Sequence, residues 1–445
     1  MRLLVVPAAL VSLAVAGNAK AAAQARSGFE VDRMSGKSFL SAAGGVLAAN
    51  ALVWGANRFV KDEASARVGT RSWGRNLGTG FIWDADGFTN NQLGHPYHGG
   101  HYFNAARVNG FGFWASVPFV AAGSLLWELL GETTAPSIND LVNTTLGGVA
   151  LGEISHRLST RVLQGGGAWR GLAGAALSPA GGAQRMLGAG DRRGSGASAG
   201  MDTPTSLNRL ALGYLGQGAG RAADARAFLE FSSQGRSPFD EAVLRPFDAF
   251  ELEVEVTSGD RAIVTRTRAA GLLARRFLRR AEGSQLVAGV FQEYDYVNLS
   301  SYELGGQALS GGLLYRRTWG AAGEIRLGAQ LRALLLGGIS SDHVGAGRGY
   351  DYGPGLGSTV SVSVGHGGRE LLRLEYAALW LRSISGADAL HRARFTRAEL
   401  QVPVAAGVGV GVGVGVWGRD SRYDGLPPAN QGVSRMRIYL VGPAS

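Results

Sequence analysis

Hydrophobic and polar positions follow two different periods along the chain. Between residues 37 and 163 the apolar residues come in uncharged runs with helical spacing; from about residue 207 onward they alternate with polar ones. A period near 3.6 puts apolar side chains on one face of a helix, and a period of two puts them on one face of a strand. The first pattern predicts helices over 39–57, 110–127 and 137–163. The last is announced by Pro136-Ser137 with Asn139 and Asp140, residue types that satisfy the free N–H groups of a helix start. A shorter helix is expected over 169–187, and the stretch 72–109 between the first two runs reads as polar and aromatic.

In the second pattern, Phe250, Leu252, Val254 and Val256 alternate with Glu251, Glu253 and Glu255. Ile325, Leu327, Ala329 and Leu331 alternate with Glu324, Arg326, Gln330 and Arg332, and valine alternates strictly with glycine from 408 to 416. The segments run about 9–14 residues, the length a tilted membrane strand requires. A soluble sandwich also alternates, but these segments are long, numerous and sequential, and their polar faces mix arginine with glutamate, as a wet lumen would. Twelve strands are expected, centred near 210, 228, 253, 266, 290, 312, 331, 361, 376, 398, 412 and 437. The fold class is therefore α+β: a helical module followed by an antiparallel transmembrane β-barrel. Tyr294, Tyr296, Tyr302, Tyr315, Trp319, Trp380 and Trp417 are candidates for its aromatic girdles.

The N-terminus adds a destination. Met1 and Arg2 precede an uncharged apolar run over 3–17, then small residues at Ala19-Lys20-Ala21 and Ala23-Gln24-Ala25. This is the layout of a secretory signal peptide, assigned to 1–25. The expected order is then a helical domain over 37–190, a Gly/Ala/Arg/Ser-rich linker over 191–205 and a barrel over 206–442, exported by the general secretory pathway to a bacterial outer membrane. Two runs, 39–57 and 110–127, approach membrane-spanning length, which leaves an inner-membrane helical protein as an alternative; Pro118 and many small residues dilute them. The chain contains no cysteine, which excludes disulfides, thiol catalysis, thiolate metal sites and a lipoprotein anchor. Its net charge of +10, on an exported chain, points to membrane lipids and lipopolysaccharide phosphates rather than nucleic acid. The outer-membrane assembly machinery is the other expected partner. Seventy glycines, more than twice the usual share of about 7%, suit tightly coiled strands in a closed sheet.

The candidate chemistry lies in the helical half. Polar residues are dense around Asp84, Asp86, Asn91, Gln92, His95, Pro96, Tyr97 and Tyr102, and again at Arg107, Ser124, Trp127, Glu128, Glu132, Ser137, Asn139, Asp140, Asn143 and Glu153. Together these resemble a bacterial envelope family known only as domain of unknown function 3943, over roughly residues 75–190. The resemblance rests on the Asn91-Gln92 pair ahead of His95-Pro96-Tyr97, Ala105-Ala106-Arg107, Trp127-Glu128 with Glu132, the run 136–140 and Gly152-Glu153. It implies an envelope protein, often with a barrel after the motif, and no established activity.

Three chemical readings of these residues stand side by side. In the first, the motif is structural: Asp84 and Asp86 make a turn before Gly87, Asn139 and Asp140 cap a helix, and Glu128 and Glu132 pair with Arg107 or Arg157. The module then fills or closes the barrel, and the protein is structural or transport-related, with no cofactor. The second is a lipid or acyl-ester hydrolase, with Ser124 or Ser137 as nucleophile, His95 as base and Asp140 or Glu128 orienting it. The third is a divalent metal held by His95, Glu128, Glu132, Glu153 and His156, where Glu153 and His156 have the Glu-x-x-His spacing of carboxylate metal sites in bundles.

Overall fold

A computed structural model describes residues 36–443 apart from 165–166, 187–206, 218–223, 260–261, 300, 321 and 406. The expected signal peptide over 1–25 and linker over 191–205 lie outside the described residues. The chain divides into two compact units, the helices within 31–205 and the strands within 206–445.

The helical unit contains α1 (Gly36–Gly55), α2 (Thr70–Gly78), α3 (His95–Arg107), α4 (Phe113–Leu126), α5 (Ile138–Val142), α6 (Gly148–Gln164), α7 (Ala168–Leu177) and α8 (Pro179–Met186). π turns at Ala56–Val60, Trp127–Gly131 and Asn143–Gly147 extend or join these helices, and another at Asn90–Gly94 leads into α3. The expected helix over 137–163 is thus one run, α5 to α6, with a π turn inside it. The expected helix over 169–187 is two, broken at Ser178. The largest difference is in 72–109, which contains α2 and α3. Helix α3 is the centre of the unit: Tyr102, Phe103, Ala105 and Ala106 are fully buried. Its helix-forming signal is weak because Gly99 and Gly100 each cost about 1 kcal/mol relative to alanine and three histidines interrupt the apolar spacing. Packing overrides this. A Cβ on Gly99 would stand 1.9 Å from the Thr144 carbonyl oxygen, one on Gly148 would stand 2.5 Å from the Gly99 carbonyl carbon, and one on Gly152 would stand 2.6 Å from Phe103 Cβ. Helices α3 and α6 therefore meet backbone to backbone. The runs Ser38–Val60 and Phe113–Gly131 are long and apolar enough to cross a membrane; 44% of the second is buried, against 11% of the first.

The strands are β1 (Leu207–Gln217), β2 (Asp224–Gln234), β3 (Phe250–Thr257), β4 (Val264–Ala281), β5 (Ser284–Leu299), β6 (Tyr302–Trp319), β7 (Gly323–Gly345), β8 (Arg348–His366), β9 (Arg369–Arg382), β10 (Ala389–Ala405), β11 (Val408–Tyr423) and β12 (Ala429–Pro443). Each pairs antiparallel with its sequence neighbours, and β1 pairs with β12, closing a twelve-stranded barrel. All twelve expected centres fall inside these strands. Several strands are longer than expected, β7 reaching 23 residues, because the pairing continues past the apolar alternation.

The alternation sorts the two faces. In register across four strands, Leu400, Val412, Ile438 and Tyr214 form one exposed apolar row, and Val402, Val410, Leu440 and Leu212 contribute to the next. The opposite face carries the charge. Arg268 on β4 reaches Glu375 on β9 at 2.5 Å, and Arg373 on β9 reaches Glu253 on β3 at 2.6 Å. Strands β9 and β3 stand six places apart in the closed order of twelve, so this ion pair crosses the lumen. Arg397 joins Glu253 at 2.8 Å, Arg437 joins Glu230 at 2.7 Å, and Arg435 joins Glu255 at 3.1 Å. The glycines of β11 face this crowd: a Cβ on Gly411 would stand 2.2 Å from the Tyr439 ring, and one on Gly413 would stand 3.1 Å from Glu399. The segment 235–249 between β2 and β3 packs against side chains of β4, β5 and β6. Its Val243 and Ala249 pack on Leu272, Phe291 and Leu314. Arg275 donates to the carbonyls of Pro238 and Val243 at 2.8 and 3.1 Å. Four of the expected girdle residues are buried instead: Tyr294, Tyr296, Tyr302 and Trp417. The last two lie in a cluster with Val297, Leu299 and Val433, while Trp319 and Trp380 are exposed.

Candidate functional site

The polar motif of the helical unit converges on His95. This residue opens α3, directly after the π turn Asn90–Gly94, and is followed by Pro96. Glu128 sits in the π turn that ends α4, and Asp140 in the first turn of α5. Single-turn π bulges turn side chains away from the α-helical phase and are frequent at functional sites. Here they bring His95, Glu128 and Asp140 together, all buried, with one ligand-type atom from each within 4.8 Å of the others.

Each member is oriented by a neighbour. His95 Nδ1 lies 3.2 Å from Thr144 Oγ1, in the π turn Asn143–Gly147, and Nε2 lies 3.5 Å from Asp140 Oδ1. Glu128 Oε2 accepts from the Ser137 N–H at 2.7 Å, while its Oε1 is buried without a partner. Asp140 Oδ1 accepts from Asn139 Nδ2 at 2.9 Å. Behind this set, Asp84 Oδ1 accepts from Asn139 Nδ2 at 2.7 Å and Asn91 Nδ2 at 2.9 Å. The 82–84 segment is tied to 136–138 by two backbone hydrogen bonds, Ile82 N–H to the Pro136 carbonyl and Ile138 N–H to the Ile82 carbonyl. Gln92 and Asn143 are fully buried in the adjoining π turns.

Burial dominates the electrostatics. It pulls His95 down to about 4, with Asp84 opposing the shift, so the ring is neutral. Burial, then the carboxylates of Asp84 and Glu128, pushes Asp140 well above the ordinary carboxyl range. Glu132 is pushed up to about 7 by burial, against a hydrogen bond from Thr134. Among the described residues, no arginine or lysine forms an ion pair with Glu128, Glu132 or Asp140.

The remaining sequence candidates lie elsewhere. Ser137 Oγ caps α5, accepting from the Asp140 N–H at 3.2 Å and donating to Asn139 Oδ1 at 2.9 Å. Ser124 Oγ is buried without a partner, so the hydroxyl on His95 is that of Thr144, which the sequence reading did not name. Glu153 is paired with Arg107 at 2.8 Å and Arg157 at 2.7 Å. These are the partners expected for Glu128 and Glu132, and this pairing removes Glu153 from any metal set with His95. His156 stands by the same two arginines, which together with burial hold it well below its ordinary range. Glu132 is placed by its backbone carbonyl, which accepts from Asn76 Nδ2 at 3.0 Å. Asp86 is exposed and accepts from Asn90 at 2.6 Å. Tyr97 is exposed against His101, whereas Tyr102 hydrogen-bonds Asn50 and His98, and Trp127 lies edge-on to His98 at 5.1 Å.

Every residue of the His95 network lies in one contiguous stretch. Residues 80–180 match a family model described as a domain of unknown function, DUF3943. The DUF3943 segment thus runs from the 82–84 strand pairing to α8, and it includes the Glu153 ion triad. Over about half of its length the chain is similar, at low identity, to solved structures. It is similar to the KdgM porin in complex with disordered oligogalacturonate, at 12% identity over 53% of this chain and 98% of that one, TM-score 0.25. It is similar to the outer membrane phospholipase A from Escherichia coli at 10% identity over 54% and 93%, TM-score 0.27. The anion-selective porin from Comamonas acidovorans follows at 7% identity over 54% and 99%, TM-score 0.23. The barrel rests on its own strand pairing and not on these likenesses. No curated protein matches the chain.

A second histidine-centred set lies outside the DUF3943 segment, on three barrel strands. His391 Nδ1 is 2.8 Å from Ser421 Oγ, and its Nε2 is 3.0 Å from Asp351 Oδ2. All three are buried, and Asp351 Oδ1 also accepts from the Ala387 N–H at 2.7 Å. The set holds the β9–β10 connection and presents no hydroxyl to solvent. Residues 30 and 40 apart on different strands leave no local signal in the sequence.

Proposed function

We propose that this chain is an exported outer-membrane β-barrel protein whose lumen is closed to passive diffusion, so that the barrel anchors the DUF3943 segment and is not an open pore. The observation that carries this reading is the ion pair between Arg373 on β9 and Glu253 on β3, which spans the lumen between opposite strands. The outward apolar rows support a lipid setting, since such a surface is stable only in hydrocarbon. Arg317 is exposed between Tyr315 and Trp319 on β6, and Arg279 is exposed in the register row of Tyr315 two strands away, an arrangement suited to the phosphates of phospholipid or lipopolysaccharide headgroups. Insertion would fall to the outer-membrane assembly machinery.

The reading is tested on the full chain reconstituted in a planar bilayer. The wild type is expected to give no stable conductance, and the double variant Arg373→Ala with Glu253→Ala to give discrete steps. Stable channel openings by the wild type would overturn the closed lumen. Unshifted gel mobility on heating, with recovery in the inner membrane, would overturn the outer-membrane barrel.

A further inference from the structure

The His95 cluster is a set of buried ligand-type groups facing one another. His95 Nε2 points at Asp140 Oδ1, Glu128 Oε1 is fully buried with no hydrogen-bond partner, and no basic side chain among the described residues pairs with either carboxylate. We infer that His95, Glu128 and Asp140 form a binding site for one divalent first-row metal ion such as Mn²⁺, Fe²⁺ or Zn²⁺. The inference concerns the helical unit and stands independently of whether the barrel is closed.

Three arguments converge. The first is geometric. Metal–ligand bonds near 2.1 Å place opposed ligands ~4.2 Å apart, so ligand atoms already within 4.8 Å need only a small inward movement. The second is the outer shell. Metal-bound histidine usually spends its other ring nitrogen on a hydrogen bond that fixes the tautomer. Thr144 Oγ1 stands at hydrogen-bond distance from Nδ1, at 3.2 Å, which leaves Nε2 facing the carboxylates. The backbone N–H of Ser137 on Glu128 and the amide of Asn139 on Asp140 hold the carboxylates in the same way. The third is charge. Two buried carboxyl groups with no basic side chain paired to them among the described residues make a site whose charge a divalent cation would balance. One nitrogen and two carboxylates, in a chain without cysteine, suit borderline ions and not Cu(I) or an iron–sulfur cluster.

The test uses the full chain in detergent, stripped with a chelator and titrated with MnCl₂ while free Mn²⁺ is read by electron paramagnetic resonance. The wild type is expected to bind one ion per chain, with a nitrogen coupling in the pulsed spectrum. Glu128→Gln and Asp140→Asn, isosteric and shorn of charge, are each expected to weaken binding at least tenfold. In His95→Gln the nitrogen coupling should vanish. Glu63→Gln, a half-buried carboxylate of the same unit that pairs with Lys61 at 3.4 Å, should bind as the wild type does. The inference is overturned if the wild type binds no stoichiometric ion, if Glu128→Gln binds equally well, if the nitrogen coupling survives in His95→Gln, or if Glu63→Gln weakens binding as much as Glu128→Gln. Retained heat-shifted mobility and helical circular dichroism establish that each variant is folded.

Discussion

Single side chains divide the polar motif into two jobs. One group surrounds His95; the other neutralises charge at Glu153, whose two oxygens are taken by Arg107 and Arg157. Removing one partner of a buried ion set leaves the others uncompensated and costs about 3–5 kcal/mol. Glu153→Ala is therefore expected to destabilise the helical unit by that amount, measured as a lowered midpoint of the helical dichroism on chemical unfolding of the full chain. Thr144→Val removes the partner of His95 Nδ1 while leaving Nε2 free. It should weaken Mn²⁺ by about 10- to 100-fold and keep the nitrogen coupling, because the ring still ligates. At this scale the sequence names His95, Glu128 and Asp140 by residue type but cannot say which acids face the histidine. Glu153 and Glu128 look equivalent on paper. What separates them is the rotation that the π turns impose on Glu128, and no propensity encodes that.

Among the elements, helix α3 shows packing overruling local preference. Its glycines weaken the isolated helix and yet permit the contact with α6 on which the site depends, since Thr144 and Gly148 lie in that contact. Gly99→Ala drives a methyl into the Thr144 carbonyl. Overpacking of this kind costs about 1–3 kcal/mol, and here it also displaces the hydroxyl that holds His95. The expected result is a lower unfolding midpoint together with weakened Mn²⁺ binding, whereas Gly171→Ala, with nothing within 4 Å of its added Cβ, should change neither. The strands were far more legible than the helices. Period-two alternation is set by one strand's own two faces, so each segment announces itself without reference to its partners. The inward fold of 235–249 was not legible, because a loop that buries Phe239, Val243 and Phe247 has no period to detect.

For the whole molecule, the proposed closure of the lumen would be shared between the cross-lumen ion pairs and the 235–249 segment. Removing the segment's clamp by Arg275→Ala is expected to leave the reconstituted protein non-conducting, since the cross-lumen pairs remain. Combining it with Arg373→Ala and Glu253→Ala should enlarge the steps seen in the double variant; an unchanged step size would show that the segment does not narrow the path. The ion pairs also bear on how the barrel comes to exist. Glu230 and Glu255, on the second and third strands, find Arg437 and Arg435 only on the twelfth, about 200 residues later in the chain. Glu230 has Arg266 of β4 at 2.9 Å from early on, but until that last strand arrives Glu255 lacks both its arginines, Arg435 and Arg437. Assembly is thereby made close to all-or-none: the intermediates are penalised, and the seam between first and last strands locks when the charges meet.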